Sequence, residues 1–422
     1  MTRKLKEVLT RAERHLIRPS SPWFSMLSDF CYLAKNLYNH ANYLVRSRFI
    51  ENGQWMRYEE LDKVLKNDAE YPDYKAMPTA QSAQQVLRLL DQNWRSFFAS
   101  IRDWNENKEK YYARPNLPKY KKKDGRFVLV LTNQNCRLQG NEIVFPKVFK
   151  GFKVSPEFLR CQCNRGQRNF KSFQQVRFIP DIAGIVMEIV YTIEATVQLE
   201  NNGKCAGIDI GVNNLVAMAT NTATAPLLIN GRILKSINQF YNKEVSRQKS
   251  ICKHMTGRYS SRRIRQLTAK RNRRIADYLH KASRLIVDVC LEQGVTSIVI
   301  GRNKDWKQGS KFDKRGNQHF VQLPFLRLIQ MIEYKAKEAG ITVFLVEESY
   351  TSGTSFLDGE APLKANYDKS RRICRGLFRA DNGRLINADV NSAFQMMKKV
   401  FPNVFADGIE GVVLRPVAVV AA

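Results

Sequence analysis

The spacing of apolar residues changes along the chain and predicts where helices give way to strands. Between residues 23 and 104, large apolar side chains recur three and four positions apart, which predicts amphipathic helices interrupted by the prolines of residues 71–78. Between residues 111 and 200 the period shortens towards two, which predicts the strands of a small barrel. Residues 1–20 have no helical period and are expected to form an arm or an edge strand.

The carboxyl-terminal half combines short apolar runs with longer amphipathic stretches. After a turn signal at residues 201–203, the predicted order is a strand meander, a helix, a strand, a helix, a strand, a loop and a last helix. This order predicts an α/β sheet with helices packed on it. The predicted strands lie at 205–210, 215–220, 227–234, 296–300 and 341–346, and the predicted helices lie at 240–293, at 323–339 and from 385 onward.

The charge balance restricts the classes of partner. The 422 residues include 69 Lys and Arg against 39 Asp and Glu, a formal net charge of +30. An excess of this size favours a polyanion such as nucleic acid, because phosphate contacts release counterions. The sequence has no apolar run long enough to span a bilayer and no apolar signal core near its first residue, so an intracellular protein is expected. The scattered cysteines are expected to be reduced thiols.

Two segments concentrate the positive charge. Residues 115–125 form a predicted loop that holds four lysines and a tyrosine. Between residues 247 and 284 the chain has thirteen Lys or Arg and one acid, Asp277. A solvated surface is the alternative for each segment, but the imbalance favours contacts with phosphates.

Two acidic residues that are far apart in the sequence are candidates for metal chemistry. Asp209 lies at the end of an apolar predicted strand, just before a turn at Gly211. Asp389 lies near the start of a predicted helix, where capping of the helix is the alternative role. Carboxylates that meet at one sheet edge can bind the two divalent cations of a phosphodiesterase, and magnesium suits such oxygen ligands. Together with the net charge, they predict a nuclease.

A third carboxylate is expected at the end of another strand, and the sequence leaves its identity open. The strand predicted at 296–300 is followed by Gly301 rather than by an acid, and Asp305 comes later in a predicted loop. The next strand ends in Glu347 and Glu348. Because parallel neighbours end at the same edge of a sheet, a glutamate of this strand can replace one missing from the first. Side chains alternate along a strand, so only one of the two glutamates can point at the site.

These motifs resemble those of TnpB, a family of transposon-encoded, RNA-guided nucleases related to the type V CRISPR effectors and to the eukaryotic Fanzor proteins. Residues 207–215 resemble the first RuvC motif of the family, and residues 387–393 resemble the last one. Residues 318–325 and 348–352 match intermediate stretches, and residues 119–126 resemble the entry into the family's wedge barrel. The resemblance covers most of the chain, and its RuvC part is specific whereas the helical insert is not.

The resemblance implies an α/β RuvC or RNase H-like nuclease domain, a small wedge β-barrel and an α-helical recognition insert. The wedge is expected in two parts, at 1–20 and 113–202, with the insert between them at 21–112. The nuclease domain is expected at 203–350, with its basic helical stretch at 240–293, and at 385–422, on either side of a degenerate target-nucleic-acid-binding loop at 351–384.

The resemblance also implies roles for individual residues. Most members have the middle glutamate where this chain has Gly301, and a branch that includes the Fanzors has it displaced to the strand before a Tyr-Thr-Ser motif. Glu348 fits that branch, with Glu347 held in reserve. The residues expected to bind two magnesium ions are Asp209, Glu348 and Asp389. The expected nucleic-acid-binding residues are Lys121, Lys122, Lys123, Arg262, Arg263, Arg271, Arg273, Arg274, Arg371 and Arg372.

The resemblance further concerns zinc, partners and location. The family often holds zinc in the loop after the Tyr-Thr-Ser motif through two Cys-x-x-Cys pairs, but only Cys374 is present there, so no zinc is expected. The implied partners are a guide RNA, a double-stranded target DNA with a short flanking motif, and the displaced single strand. The implied location is the cytoplasm of a prokaryotic cell, in association with the nucleoid, with no membrane partner.

Other functions fit parts of the pattern. Actin-like and sugar-kinase ATPases also use a Gly-Ile-Asp-Ile-Gly turn, but they need a second glycine-rich phosphate loop with its own aspartate, which this sequence lacks. If neither Glu347 nor Glu348 completes the site, the chain is an RNA-guided DNA-binding protein or repressor that does not cut. A compact type V CRISPR effector has a closely related function and differs in genomic context.

Overall fold

The chain divides into two compact units, Val8–Glu194 and Ala195–Ala422. The structure is a computed structural model. It describes residues 8–160, 170–303, 321–374, 376–406, 408 and 414–421. Asp305, one of the candidate acids, lies outside the described residues. Within them, no helix is both long and apolar enough to cross a bilayer.

The amino-terminal unit contains two antiparallel sheets. Its strands are β1 (Val8–Ile17), β2 (Leu129–Thr132), β3 (Arg137–Gln139), β4 (Glu142–Val144), β5 (Lys153–Val154), β6 (Phe170–Asp181) and β7 (Gly184–Glu194). One sheet has the order β1-β7-β6-β2 and the other β3-β4-β5. The edge strand expected near the start of the chain is confirmed, because β1 pairs only with β7 in this order. Closure of the strands into a barrel remains a prediction.

Helices complete the core of this unit. They are α1 (Phe24–Asn52), α2 (Tyr58–Asn67), α3 (Ala80–Glu106) and the short α4 (Glu157–Arg160). Thr79 starts α3 with a reciprocal cap: its hydroxyl accepts from the Ser82 N–H at 3.0 Å, while the Ser82 hydroxyl accepts from the Thr79 N–H at 3.2 Å. Trp94 of α3 is fully buried, and its ring centroid lies 5.4 Å from that of Phe49 on α1. Many aromatic side chains of the helical region therefore serve core packing.

The carboxyl-terminal unit is built on a six-stranded sheet. Its strands are β8 (Cys205–Ile210), β9 (Asn214–Thr220), β10 (Leu227–Asn230), β11 (Ser297–Gly301), β12 (Thr342–Val346) and β15 (Val417–Val419), and β13 (Leu377–Arg379) forms a separate hairpin with β14 (Leu385–Asn387). The sheet order is β12-β11-β8-β9-β10-β15. β11 pairs in parallel with both β8 and β12, so the carboxyl ends of these three strands meet at one edge.

The described part of this unit contains four helices, and two sequence-based predictions about them need correction. The helices are α5 (Arg232–Thr256), α6 (Arg262–Glu292), α7 (Phe325–Glu338) and α8 (Ala388–Val400). The strand predicted at 227–234 ends at Asn230, because Gly231 packs against the turn after β8 and the chain then enters α5. The single helix predicted at 240–293 is two helices, since Gly257 ends α5 with a φ of 65° and the Ser261 hydroxyl caps α6.

The two faces of the sheet are covered by different helices. Ile208 and Ile210 of β8 belong to the apolar core that includes residues of α6 and α7. Gly207 faces α8 instead, and a Cβ atom there would lie 1.9 Å from the Ala393 carbonyl oxygen. Because side chains alternate along a strand, Asp209 lies on the α8 face together with Gly207.

Candidate active site

Asp209 lies at the end of β8, on the sheet face that α8 covers. Its side chain is partly buried, and desolvation raises the pKa of its carboxyl well above the ordinary value. The charges of Asp389 and Glu348 raise that pKa further, while the Arg372 guanidinium and the Ile210 N–H lower it. Asp389 and Glu348 therefore each lie within electrostatic reach of Asp209.

Asp389 lies in the first turn of α8 but does not cap the helix through its side chain. The Asn387 side chain does so, because its Oδ1 accepts from the N–H groups of Asp389 and Val390 at 3.0 and 3.2 Å. The Asp389 carboxylate has other partners: it accepts from Asn214 Nδ2 at 2.9 Å and lies 3.3 Å from Arg372 Nη2. The alternative of a capping role for Asp389 is therefore wrong.

Glu348 extends across the space that a side chain at position 301 would fill. Gly301 pairs with Val346 in the parallel register of β11 and β12, and Glu348 follows two residues later. A Cβ atom at Gly301 would lie 2.6 Å from Glu348 Cγ and 2.4 Å from Met396 Cε. The missing side chain at position 301 thus makes room for the glutamate of the neighbouring strand.

The local contacts orient Glu348 and leave Glu347 outside. Asn303 Nδ2 donates to Glu348 Oε2 at 3.0 Å. The Thr351 hydroxyl donates to the Glu348 carbonyl at 2.8 Å, which fixes the main chain where the strand ends. Glu347 is exposed, and its carbonyl accepts from Lys399 Nζ at 2.7 Å. Of the two glutamates, Glu348 is the one whose side chain faces the other acids.

Two adjacent arginines of the 351–384 loop have different surroundings. The Arg371 side chain is only 16% exposed and is enclosed by acids. Its guanidinium lies 3.8, 2.8, 3.9 and 2.6 Å from the carboxylates of Asp358, Glu360, Asp368 and Asp381. Three of these acids lie close enough together to hold a metal ion, but Arg371 already supplies a positive charge to them. This arrangement favours a structural role for Arg371 over the expected contact with nucleic acid, whereas Arg372 extends to Asp389.

In the basic loop of the amino-terminal unit, residues 115–125, only some of the lysines extend into solvent. Lys122 and Lys123 are exposed, as expected for residues that contact phosphates. Lys121 turns inward, with its ammonium 4.6 Å from the centroid of the Tyr38 ring and 4.9 Å from that of Phe127. Desolvation lowers the pKa of Lys121. Its expected contact with nucleic acid is therefore less favoured than those of its two neighbours.

Of the five arginines of the basic helix α6 that were expected to contact nucleic acid, four are exposed and one is used internally. The exposed ones are Arg262, Arg263, Arg273 and Arg274. Arg271 is half-buried: its Nε donates to Asn238 Oδ1 at 2.8 Å, and its Nη2 donates to the Gln322 carbonyl at 3.1 Å. Arg271 therefore joins α5, α6 and the segment before α7, which departs from the expectation that it contacts nucleic acid.

Three asparagines at this site were not predicted from the sequence. Asn214 binds Asp389, Asn303 binds Glu348, and Asn387 caps α8. The three asparagines lie at the ends of strands and helices, which is the only sequence signal for their roles. That signal is weak, because asparagine is common at such positions as a turn residue. Only the tertiary structure distinguishes these roles.

Two protein-family models match segments of the unit that contains this site. Residues 188–307 match the OrfB_IS605 family, described as a probable transposase, and residues 325–396 match the Cas12f1-like TNB domain. The first segment contains Asp209, and the second contains Glu348 and Asp389.

Whole-chain comparison extends these matches. The TnpB-like protein ORF457 of Acidianus two-tailed virus is 24% identical over 398 residues, which cover 87% of this chain and 81% of that protein. The chain is therefore similar to TnpB-family proteins over most of its length. It is also 29% identical to the CRISPR-associated endodeoxyribonuclease Cas12f2 of a Micrarchaeota archaeon over 228 residues, and that match covers 50% of this chain and 40% of that protein.

A solved structure shows the same fold as this chain. The structure is that of Cas12f1 in a complex with sgRNA and target DNA, and the match has a TM-score of 0.57 at 16% sequence identity. It covers 89% of this chain and 83% of that one. The chain therefore has the α/β nuclease fold that the order of its strands and helices indicates.

Proposed function

We propose that this protein is an RNA-guided endonuclease that cuts DNA at a site formed by Asp209, Glu348 and Asp389. The observation that supports the proposal is the position of the three acids: Asp209 ends β8 on the α8 face, Asp389 lies in the first turn of α8, and Glu348 extends over Gly301 just after β12. Like charges in a partly desolvated site are unfavourable unless cations neutralise them. The cluster is therefore better suited to binding cations than to stabilising the fold.

The donor set fits divalent magnesium, which prefers carboxylate oxygens and keeps several waters. Asp209, Glu348 and Asp389 would hold the two ions. When bound, such ions activate a water and neutralise the charge on the leaving oxygen. Asn303 and Asn214 orient two of the carboxylates, because they donate hydrogen bonds to Glu348 and Asp389.

Arg372 is a basic residue beside this chemistry. Its guanidinium lies 3.3 Å from the Asp389 carboxylate. A planar guanidinium can bind a phosphate through two hydrogen bonds, so we infer that Arg372 contacts the DNA strand as it enters the site. Arg371 is enclosed by acids, and its ion pairs hold the loop that also carries Arg372.

The relatives suggest the classes of partner. Cas12f1 has been solved with sgRNA and target DNA, and the net charge of +30 suits the same kind of partners here. We infer that a guide RNA selects the target by base pairing while the protein recognises a short flanking motif and the displaced strand. In this view residues 1–20 and 113–202 form the wedge and residues 21–112 the recognition insert.

Plasmid cleavage with magnesium and the guide RNA tests this function. D209A, D389A and E348Q are expected to abolish cleavage and to leave RNA and DNA binding near wild type, since the ions serve chemistry more than affinity. E347Q is the matched control, because it makes the same chemical change at an exposed position one residue away. It should cleave like wild type.

The outcomes separate the parts of the proposal. Normal cleavage by folded D209A or D389A would remove the two-metal site. If E347Q loses cleavage and E348Q does not, the third ligand is Glu347. If neither variant loses cleavage, the third ligand lies elsewhere, with Asp305 the next candidate.

A second candidate function is RNA-guided DNA binding without cleavage. Gly301, which stands where most members of the family have the middle glutamate, favours it. Such a protein would bind guide-matched DNA in a chelator and leave the same plasmid uncut in magnesium. A compact type V CRISPR effector would cut in the same way, and sequencing the RNA that co-purifies with the protein distinguishes it by the origin of the guide.

A further inference from the structure

A polar stripe runs along one face of α1. Lys35, Asn39, Asn42 and Arg46 are spaced by four, three and four residues, so their side chains project from the same side of the helix. Lys35 is 4% exposed and Asn42 is fully buried. Buried polar groups are unfavourable unless they form hydrogen bonds, so this face needs a polar partner.

The partner is the main chain of the basic loop at 118–123. Asn39 pairs with Lys121 in both directions, since Nδ2 donates to the Lys121 carbonyl at 2.9 Å and Oδ1 accepts from the Lys121 N–H at 2.8 Å. Asn42 Nδ2 and Arg46 Nη1 both donate to the Pro118 carbonyl, at 3.0 and 2.9 Å. These contacts fix the path of the loop without using its side chains.

Two members of the stripe, Lys35 and Asn42, are themselves anchored. Lys35 Nζ donates to the Lys123 carbonyl at 2.8 Å and lies 4.0 Å from the centroid of the Tyr32 ring. The Asn42 Oδ1 accepts from Trp94 Nε1 at 3.1 Å, which orients the amide that holds the loop. The stripe therefore joins α1, α3 and the loop into one rigid arrangement.

The loop held in this way presents a basic and aromatic surface. Lys119, Lys122 and Lys123 are exposed, and Tyr120 is 47% exposed with the Arg46 guanidinium 5.2 Å from its ring centroid. Among the described residues, no carboxylate forms an ion pair with these three lysines. Ammonium groups without acidic partners beside an exposed ring suit a nucleic acid, because they can bind its phosphates while the ring stacks on a base.

We propose that the polar stripe of α1 is a clamp that holds the loop in its binding conformation, and that Lys119, Tyr120, Lys122 and Lys123 bind a nucleic-acid backbone. The inference rests on the proposed function and adds positioning residues that do not touch the ligand themselves. A loop ordered in advance loses less conformational entropy on binding, so the clamp increases affinity through the lysines.

A double-mutant cycle tests this coupling. N39A removes both hydrogen bonds to Lys121, and K122A/K123A removes two of the exposed charges. The dissociation constants are measured for guide RNA on the protein alone and for duplex DNA on the RNA-loaded protein in a chelator, which shows which of the two nucleic acids the loop binds. N39A is expected to weaken binding of one of them about threefold to tenfold in the wild-type background, and to have little effect when K122A/K123A is already present.

Controls separate positioning from a general loss of structure. N93A is the matched control, because Asn93 donates to the Tyr38 hydroxyl at 3.1 Å and, among the described residues, forms no hydrogen bond with the loop. It should bind like wild type. Hydrogen exchange of the Lys121 N–H should accelerate in N39A. If N39A does not fold, K35M replaces it, since Lys35 is too buried to contact nucleic acid directly.

Three results would overturn the proposal. One is wild-type affinity of folded N39A for both nucleic acids. Another is an effect of N39A that adds in full to that of K122A/K123A, and the third is equal weakening by N93A. If the wild-type protein binds neither guide RNA nor target DNA, the proposed function itself fails, which is a different outcome from failure of the clamp.

Discussion

At the scale of single residues, Gly301 and Glu348 occupy one volume on adjacent strands. A side chain at 301 would start within 2.6 Å of Glu348 Cγ, so the two positions cannot both carry a large group without rearrangement. The proposed site can therefore take its middle carboxylate from only one of these two positions. Met396 Cε, at 2.4 Å from the same point, is the end of a flexible side chain and can move.

This competition predicts a compensating pair of substitutions. G301E alone should lose cleavage because the new side chain collides with Glu348, and E348A alone should lose it because a ligand is missing. The double variant G301E/E348A should cleave at least about tenfold faster than E348A, a gain of about 1.4 kcal/mol in transition-state stabilisation. Single-turnover plasmid cleavage measures the rates, and G301A/E348A is the control that relieves the collision without adding a carboxylate. If the double variant is as inactive as E348A, the two positions are not equivalent.

At the scale of elements, the 351–384 loop is held by tertiary contacts more than by regular secondary structure. Its main strand is the short β13, and Arg371 joins acids from separate parts of the loop. The buried Asn391 of α8 ties the loop to the helix, because its Oδ1 accepts from the Phe356 N–H at 2.9 Å and its Nδ2 donates to the Thr354 carbonyl at 2.8 Å. The loop is thereby fixed beside the turn that carries Asp389.

Removal of Arg371 is therefore expected to loosen this loop. R371A leaves several acids facing one another and should lower the free energy of unfolding by about 1–3 kcal/mol, between the values for exposed and buried ion pairs. Urea unfolding and limited proteolysis between residues 351 and 384 measure the effect. R379A serves as the matched control, because Arg379 is exposed and forms no ion pair among the described residues. Equal stability of the two variants would show that the acids around Arg371 contribute nothing measurable.

At the scale of the whole molecule, the basic side chains that give the net charge of +30 differ in how available they are to bind nucleic acid. On α6, Arg273 and Arg274 are exposed, whereas Lys281 and Arg284 are paired with Asp277 and Asp288 on the same helix. Exposed charges without acidic neighbours can release counterions from nucleic acid, but paired ones contribute less.

The salt dependence of nucleic-acid binding should report this difference. R273E/R274E is expected to reduce the slope of log affinity against log salt by about 0.9 for each duplex phosphate that the protein no longer neutralises, so by about 2 in total. K281E/R284E changes the net charge by the same amount on the same helix and should reduce the slope less. Titrations at several salt concentrations decide between them. An identical change in both variants would mean that only the net charge of the helix matters.

The sequence by itself determined the features that depend on local patterns. The apolar run before Asp209, the helical period after Asp389 and the turn at 201–203 predicted the α/β unit, since periodicity follows from the geometry of each element. The excess of Lys and Arg indicated a polyanionic partner, because net charge depends on composition and not on the fold. Two glycines limited these local predictions. Gly231 and Gly257 set the boundaries of α5, because a single residue can redirect the chain.

Which side chains meet depends on the folded structure. Alternation allows only one of Glu347 and Glu348 to point at the proposed site, but which one depends on the face that α8 covers, and that face follows from the close packing of Gly207 against α8. Arg371 belongs to a basic run in the sequence and to a group of acids in space. Partners separated by tens or hundreds of residues are chosen by packing and by the need to satisfy buried polar groups, and neither is encoded in a local pattern.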